Sequence, residues 1–324
     1  MIFQIIILSL LCLTLIYATN LVIISIKSIA RRSGLAAYGI TAFILAISTS
    51  LPELMVSIVA SIEGNTSLIL GNIIGSNIAD LSLVIGGGAI LASSLKVSGT
   101  ILSRDIYLTG AAGLLPLLLI ADGTLSRPDG VVLLVIYLVM VATFLKGHQQ
   151  SLAQNALAIS PFKRLLLTVT KGDGKTSIFK FTLGITLLLL SSHFIVNIAS
   201  ALTLSTGLST LFIGLFIVSV GTSLPELAFE LKAISAGQTK MALGDLLGSV
   251  VANSTFILGI SAVIRPLTLS NAGLVPYGMA IGAFTIIYSA FIYFVKSKKR
   301  LEWWEGLVLI LIYAIFIFAE LSNR

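Results

Sequence analysis

Apolar residues run in unbroken stretches of about 17 to 25 positions, each long enough to cross roughly 30 Å of hydrocarbon. Such stretches recur along the whole chain and predict ten spanning helices, at 3–26, 37–62, 67–94, 105–121, 130–146, 177–199, 210–236, 241–263, 273–295 and 303–320. Short polar connections separate them, the widest being 147–176.

Composition agrees with that pattern. Of 324 residues 57% are apolar and 10% charged, more apolar surface than a soluble core of this size can bury, so the expected solvent is the bilayer. The first stretch lacks a basic leading region, is followed by Lys27, Arg31 and Arg32 rather than by a cleavage site, and is expected to remain a spanning helix. The single cysteine, Cys12, lies within it, which rules out an intrachain disulfide and leaves a small buried apolar residue as the expectation. The net charge of +7 reflects orientation rather than nucleic-acid binding. Of the 20 Lys and Arg, the predicted topology leaves Arg127, Arg265 and Arg324 on one side and Lys232 within a span, with all the others opposite. The basic side is cytoplasmic by the positive-inside rule, so both termini face outward and the 147–176 loop faces the cytoplasm.

Sliding the chain along itself by 173 residues lays Thr49-Ser50-Leu51-Pro52-Glu53-Leu54 on Thr222-Ser223-Leu224-Pro225-Glu226-Leu227 without a gap. Gly71 then falls on Gly244, Gly75-Ser76 on Gly248-Ser249, and Gly86 on Gly259. Five spans per unit is an odd number, so the second copy enters the membrane from the opposite side. The prediction is an all-α integral membrane fold of ten transmembrane helices in two inverted five-helix repeats, 1–146 and 177–324, with discontinuous helices at the midplane. Secondary transporters commonly place a site at such a junction. Pro52 and Pro225 interrupt their helices and free backbone oxygens around Ser48-Thr49 and Gly221-Thr222, which in lipid must face protein, water or an ion.

Acids deep in spans are costly and usually functional, and five lie within apolar stretches: Glu53, Asp80, Glu226, Glu230 and Asp245. Ca²⁺ takes six to eight hard oxygens at roughly 2.3–2.6 Å, and carboxylates with freed carbonyls and hydroxyls supply that set. Thr49, Ser50, Thr222 and Ser223 stand beside the glutamates. In the third span Asn72, Ser76 and Asp80 share one helical face, and the repeat mates are Asp245, Ser249 and Asn253. The competing reading makes these residues interhelical glue, with Gly71, Gly75, Gly244 and Gly248 allowing close backbone contact.

The paired S/G-T-S-L-P-E and G-N/D-x-x-G-S segments resemble the α-repeats of the Ca²⁺:cation antiporter superfamily, especially its prokaryotic sodium/calcium exchanger branch. The resemblance implies Ca²⁺ held by Glu53 and Glu226 and by main-chain oxygens at Thr49 and Thr222. It also implies Na⁺ sites drawing on the hydroxyls of Thr49, Ser50, Ser76, Thr222, Ser223 and Ser249 and on carbonyls near Ala46 and Ser219. Three departures stand out. Ser48 replaces the glycine that Gly221 retains. Asp80 and Asn253 exchange the amide and acid of the family pattern. Glu230 lies one turn beyond Glu226, where the repeat mate is Ser57. Two carboxylates one turn apart repel, so Glu230 either carries a coupling proton or, with Lys232, sits solvated near the cytoplasmic helix end.

His193, within the sixth span, is expected to pack and hydrogen-bond across helices. An intramembrane hydrolase fits poorly, because no Ser/His or His-rich constellation accompanies the acids, and in a structural membrane protein buried acids at repeat-related positions would merely weaken the fold. A passive cation channel is the less favoured alternative, since channels also use carboxylates and only flux stoichiometry or saturation separates the two. The expected activity is therefore Ca²⁺ antiport against Na⁺, or against H⁺ or K⁺, with no enzymatic reaction, no cofactor besides the transported ions and no obligatory protein partner. The expected location is a multi-pass position in a cell membrane.

Overall fold

The computed structural model describes residues 2–32, 50–97, 100–147, 172–269 and 274–322. Helix α1 covers Ile2–Arg32, α2 Leu51–Glu63, α3 Thr66–Ala79 and α4 Ile85–Leu91, with a π-helical turn at Asp80–Val84 joining the last two. After strand β1 (Ser94–Lys96) come α5 (Thr100–Leu119), β2 (Thr124–Leu125) and α6 (Arg127–Gly147). Then follow α7 (Gly172–Thr206), α8 (Thr210–Ile213), a second π turn (Gly214–Val218), α9 (Ser219–Thr222) and α10 (Leu224–Ser235). The chain continues through α11 (Thr239–Val251), a third π turn (Ala252–Ile257), α12 (Leu258–Ile264), β3 (Leu267–Thr268), α13 (Leu274–Lys298), β4 (Arg300–Glu302) and α14 (Trp303–Ser322).

Among the described residues six helices are long and apolar enough to cross a membrane, at 66–91, 104–122, 176–206, 241–264, 275–298 and 303–322. A seventh span is the pair Thr210–Thr222 and Leu224–Ser235, bent by 46°. These match seven of the ten predicted stretches. Residues 37–49 of the second stretch and 148–171 of the connecting loop lie outside the described residues. Many large apolar side chains are exposed, Leu204 at 89% and Phe318 at 72% among them, as on a lipid-facing surface.

The inner layer is the run Thr66–Leu91, almost wholly enclosed, with Met241–Ile264 beside it. Helix α1 packs along α7. Its buried residues Leu8, Cys12, Leu15, Ala18 and Val22 recur every three or four positions on one face, while Leu10, Leu13 and Tyr17 are exposed. Small residues let α3 cross the Thr210–Thr222 segment at backbone contact: a Cβ on Gly71 would lie 2.5 Å from the Leu211 carbonyl oxygen. Gly244 has no such neighbour within 4 Å, so the expected close contact there is absent.

The all-α expectation needs one correction. Two short antiparallel ladders join the N-terminal to the C-terminal part of the chain, β1 with β4 and β2 with β3. Connections too short for another turn of helix still carry N–H and C=O groups that need partners, and pairing across the molecule satisfies them. Val97 N–H extends one ladder to the Lys299 carbonyl at 2.9 Å, and Leu269 N–H extends the other to the Gly123 carbonyl, also at 2.9 Å.

Candidate functional site

Each of the two prolines stands in the opening turn of a helix, α2 and α10. Ser50 (φ −84°, ψ 13°) and Ser223 (φ −81°, ψ 3°) leave helical geometry in nearly the same way, and each helix that follows has proline in its opening turn. There the missing N–H would have been unsatisfied anyway. Glu53 and Glu226 fall in these first turns, where the positive end of the helix dipole favours a carboxylate. The far ends match as well. Gly64 (φ 78°) and Gly237 (φ 73°) close α2 and α10 in the left-handed conformation, and Asn65 N–H and Gln238 N–H reach back 2.8 Å to the Ala60 and Ala233 carbonyls.

These first turns meet inside the protein against the α3 and α11 segments. Glu53, Asp80 and Glu226 are each 1% exposed. Ser50, Asn72, Ser76, Ser219, Thr222, Ser223, Asp245, Ser249 and Asn253 are buried with them. Contacts cross between the two copies: Ser223 Oγ donates to Glu53 Oε1 at 3.5 Å and Thr222 Oγ1 to Asn72 Oδ1 at 3.2 Å, while within its own copy Thr222 Oγ1 lies 3.1 Å from the Ser219 carbonyl. Glu226 stands within electrostatic reach of Glu53, Asp80 and Asp245, and Asp80 within reach of Glu53 and Asp245. Ala46, Ser48 and Thr49 lie outside the described residues.

Glu53 Oε2, Glu226 Oε2, Asp80 Oδ1, Ser50 Oγ, Ser76 Oγ, Ser249 Oγ and Asn253 Oδ1 are buried without a hydrogen-bond partner among the described residues. Buried polar atoms are ordinarily satisfied, and these are oxygens of the hard kind that Ca²⁺ takes. No three Asp, Glu, His or Cys side chains among the described residues stand close enough to hold a metal by themselves. A cation here needs the hydroxyl, amide and carbonyl oxygens as well.

Two π turns, Asp80–Val84 and Ala252–Ile257, place Asp80 and Asn253 at corresponding points of the inner helices. Such turns add a residue to the helix and re-aim side chains, often at functional sites. Beside them sequence reasoning missed Asn77 and Ser254. Asn253 Nδ2 donates to Asn77 Oδ1 at 3.1 Å and Asn77 Nδ2 to Ser254 Oγ at 2.8 Å, a chain that fixes the amide next to the acids. An amide inside an apolar stretch was the available signal, but Asn77 aligns with Val250 and the repeat pattern hid it. Gly221 is explained by its surroundings, since a Cβ there would lie 2.3 Å from Cys12 Sγ on α1.

The expectation of a solvated Glu230 fails: it is 0% exposed, whereas Lys232 is exposed. The α10 helix packs against α11 and against the π turn at Asp80, which encloses the face bearing Glu230. His193 is exposed rather than packed, and pairs with Glu63 at 2.8 Å and Asn197 at 3.0 Å, linking α7 to the end of α2.

A family model described as sodium/calcium exchanger protein matches residues 3–146 and 176–321. The chain belongs to the sodium/calcium exchanger protein family. As a member it is a multi-pass membrane protein of the Ca²⁺:cation antiporter superfamily. It is 34% identical over 261 residues to the putative antiporter CaxA of Alkalimonas amylolytica, covering 78% of each chain. Its fold is similar to that of the sodium-calcium exchanger NCX_Mj soaked with Na⁺ and Sr²⁺, at TM-score 0.64 and 26% identity, over 98% of this chain and 99% of that one. The H⁺/Ca²⁺ exchanger CAX gives TM-score 0.72 over 98% of this exchanger-family chain and 87% of its own, at 16% identity, a likeness of fold alone.

Proposed function

We propose that this chain is a secondary active antiporter that exchanges Ca²⁺ for Na⁺ by alternating access at a carboxylate-lined midplane site, without catalysing a reaction. The architecture is ten helices in two inverted repeats, 1–146 and 177–324, joined by a cytoplasmic loop at 147–176, with both termini outside the cell. Support for the repeat comes from features that recur near the 173-residue offset: the serine breaks, the first-turn glutamates, the glycine caps and the π turns.

The observation that carries the function is the meeting of Glu53 and Glu226, fully buried, among unpaired oxygens contributed by both copies. Glu53 and Glu226, with carbonyl oxygens at Thr49 and Thr222, hold Ca²⁺; two carboxylates match its charge. Na⁺ uses the hydroxyls of Thr49, Ser50, Ser76, Thr222, Ser223 and Ser249 and the carbonyls of Ala46 and Ser219. Asp80 and Asn253 complete the ring, with Asn72 and Asp245 behind it. One observation favours H⁺ as an alternative coupling ion: Glu230 is buried with both oxygens unpartnered among the described residues.

Reconstituted liposomes separate the two. An outward Na⁺ gradient is expected to drive Ca²⁺ uptake at clamped pH, and an outward H⁺ gradient without Na⁺ is expected to drive none. Uptake under H⁺ alone would replace Na⁺ with H⁺ as the coupling ion, and uptake under neither would end the Ca²⁺ antiport reading.

A further inference from the structure

Helices α5 and α13 leave a groove of about 210 Å³ between them. Tyr107 meets Lys296, Gly110 meets Tyr288 and Gly113 meets Phe284, so the two helices run antiparallel. One wall is Tyr107, Ala111 and Leu114 on α5, the other Thr285, Ser289 and Ile292 on α13. Each set is spaced by three or four residues and marks one face of its helix. The floor is the buried Tyr288, whose ring lies against α5 where a Cβ on Gly110 would stand 2.6 Å from it, and whose hydroxyl donates to the Ile106 carbonyl at 2.5 Å. A ring held by both its face and its hydroxyl does not swing out to fill the space. Tyr107, Ala111 and Ser289 on the rim are exposed, so the groove opens onto the surface that meets lipid. Tyr107 to Leu114 is seven helical rises of 1.5 Å, so the groove is about 10 Å long, the shape of part of an acyl chain.

One end of the groove is basic. Lys296, one turn past Ile292, has its Nζ 4.6 Å from the centroid of the Tyr107 ring, and the exposed Arg104 stands one turn before Tyr107 on the same face of α5. The nearby Lys298 and Arg300 are engaged by Glu302, at 2.9 and 2.8 Å. Lys296 meets a ring face instead, which attracts its charge and leaves ammonium donors for an anion. The exposed Tyr293, Trp303 and Trp304 lie around the same helix ends, as aromatic side chains do at the level of lipid headgroups. We propose that this groove binds one anionic phospholipid, with an acyl chain along the groove and the headgroup phosphate at Lys296 and Arg104. The apolar walls accept the tail of any lipid; the basic mouth selects the anionic one. Because α5 belongs to the N-terminal half of the chain and α13 to the C-terminal half, the lipid braces the two halves against each other, whichever ion is coupled.

Native mass spectrometry of the purified full-length chain, released from micelles holding equal amounts of phosphatidylglycerol and phosphatidylcholine, tests this. The wild type is expected to retain phosphatidylglycerol over phosphatidylcholine by at least about fivefold, the effect of one basic group at headgroup level. Lys296→Gln is expected to bring that ratio near one and Lys296→Arg to keep it. Lys180→Gln, which removes a basic residue of α7 outside the groove, is expected to leave it unchanged. Ala111→Phe, which fills the groove from its exposed rim, is expected to lose the retained lipid while the protein stays monodisperse. Equal retention of the two lipids by the wild type, an unchanged ratio in Lys296→Gln, or undiminished retention in Ala111→Phe would overturn the proposal. So would equal losses in Lys180→Gln or Lys296→Arg and in Lys296→Gln, or displacement of the lipid by inorganic phosphate, which would make the mouth a site for the free anion.

Discussion

Replacing Gly75 with alanine tests whether the site depends on the backbone contact between α3 and the Thr210–Thr222 segment. A Cβ at Gly75 would lie 2.4 Å from the Leu215 carbonyl oxygen, 2.6 Å from Ser219 Oγ and 2.8 Å from Leu215 Cα. Carbon and carbonyl oxygen come no closer than about 3.3 Å without strain, so the segments must part by roughly 1 Å. Overpacking of this kind costs about 1–3 kcal/mol, and the better helix propensity of alanine returns up to about 1 kcal/mol. The expected net loss is roughly 1–2 kcal/mol, read as a lower thermal midpoint of the purified protein. Gly244→Ala is the matched control, because nothing lies within 4 Å of a Cβ there, and its midpoint is expected to hold or rise. Separation also draws Thr222 away from Asn72, now 3.2 Å apart, so Gly75→Ala is expected to slow Ca²⁺ uptake beyond its effect on stability. Equal midpoints for Gly75→Ala and wild type, or equal damage from the two alanines, would refute the reasoning.

Other positions give separate tests. Thr222→Val removes the hydroxyl that reaches Asn72 and is expected to cut transport by up to about tenfold, the effect of losing one neutral hydrogen bond, while Thr222→Ser preserves it; flux assays on both variants decide. Glu302, on β4 outside the spans, has its carboxyl lowered to about 2 by hydrogen bonds from Lys298 and Trp304 and by the charges of Lys298 and Arg300. A lowered carboxylate contributes stability above its ordinary range near 4.5 and loses it as pH falls towards about 2. The midpoint gap between wild type and Glu302→Gln should then stay constant above about pH 5 and close on acidification; a gap that persists in acid would count against it. His193→Gln breaks an exposed pair and should change stability by less than about 1 kcal/mol, so a larger drop in thermal midpoint would mean that the His193–Glu63 link holds α7 to α2 more firmly than an exposed pair can.

Much of the site was legible because its chemistry is local. A proline followed by glutamate, twice, beside hydroxyl residues in apolar stretches, marks two helix starts whatever packs around them, and Ser50 and Ser223 adopt matching geometry. Asp80 and Asn253 were legible as polar residues in spans, but the π turns that aim them were not, since an added residue per turn depends on packing against other helices. Burial of Glu230 was missed for a similar reason. Its distance from the helix end suggested water, while α11 and the Asp80 turn close over it. The two ladders were illegible because each pairs residues far apart in sequence through main-chain bonds that side-chain pattern does not record. Gly244 shows the limit of reading by repeat: it aligns with Gly71 yet has no close neighbour.

The central claim is that one glutamate from each copy of the motif holds the transported Ca²⁺ together. Its most direct test is Ca²⁺ uptake into liposomes under an outward Na⁺ gradient, with Glu53→Gln and Glu226→Gln measured separately beside the wild type. Each single substitution is predicted to abolish uptake while leaving a monodisperse, folded protein. Wild-type uptake in either variant would contradict the claim and place the ion elsewhere.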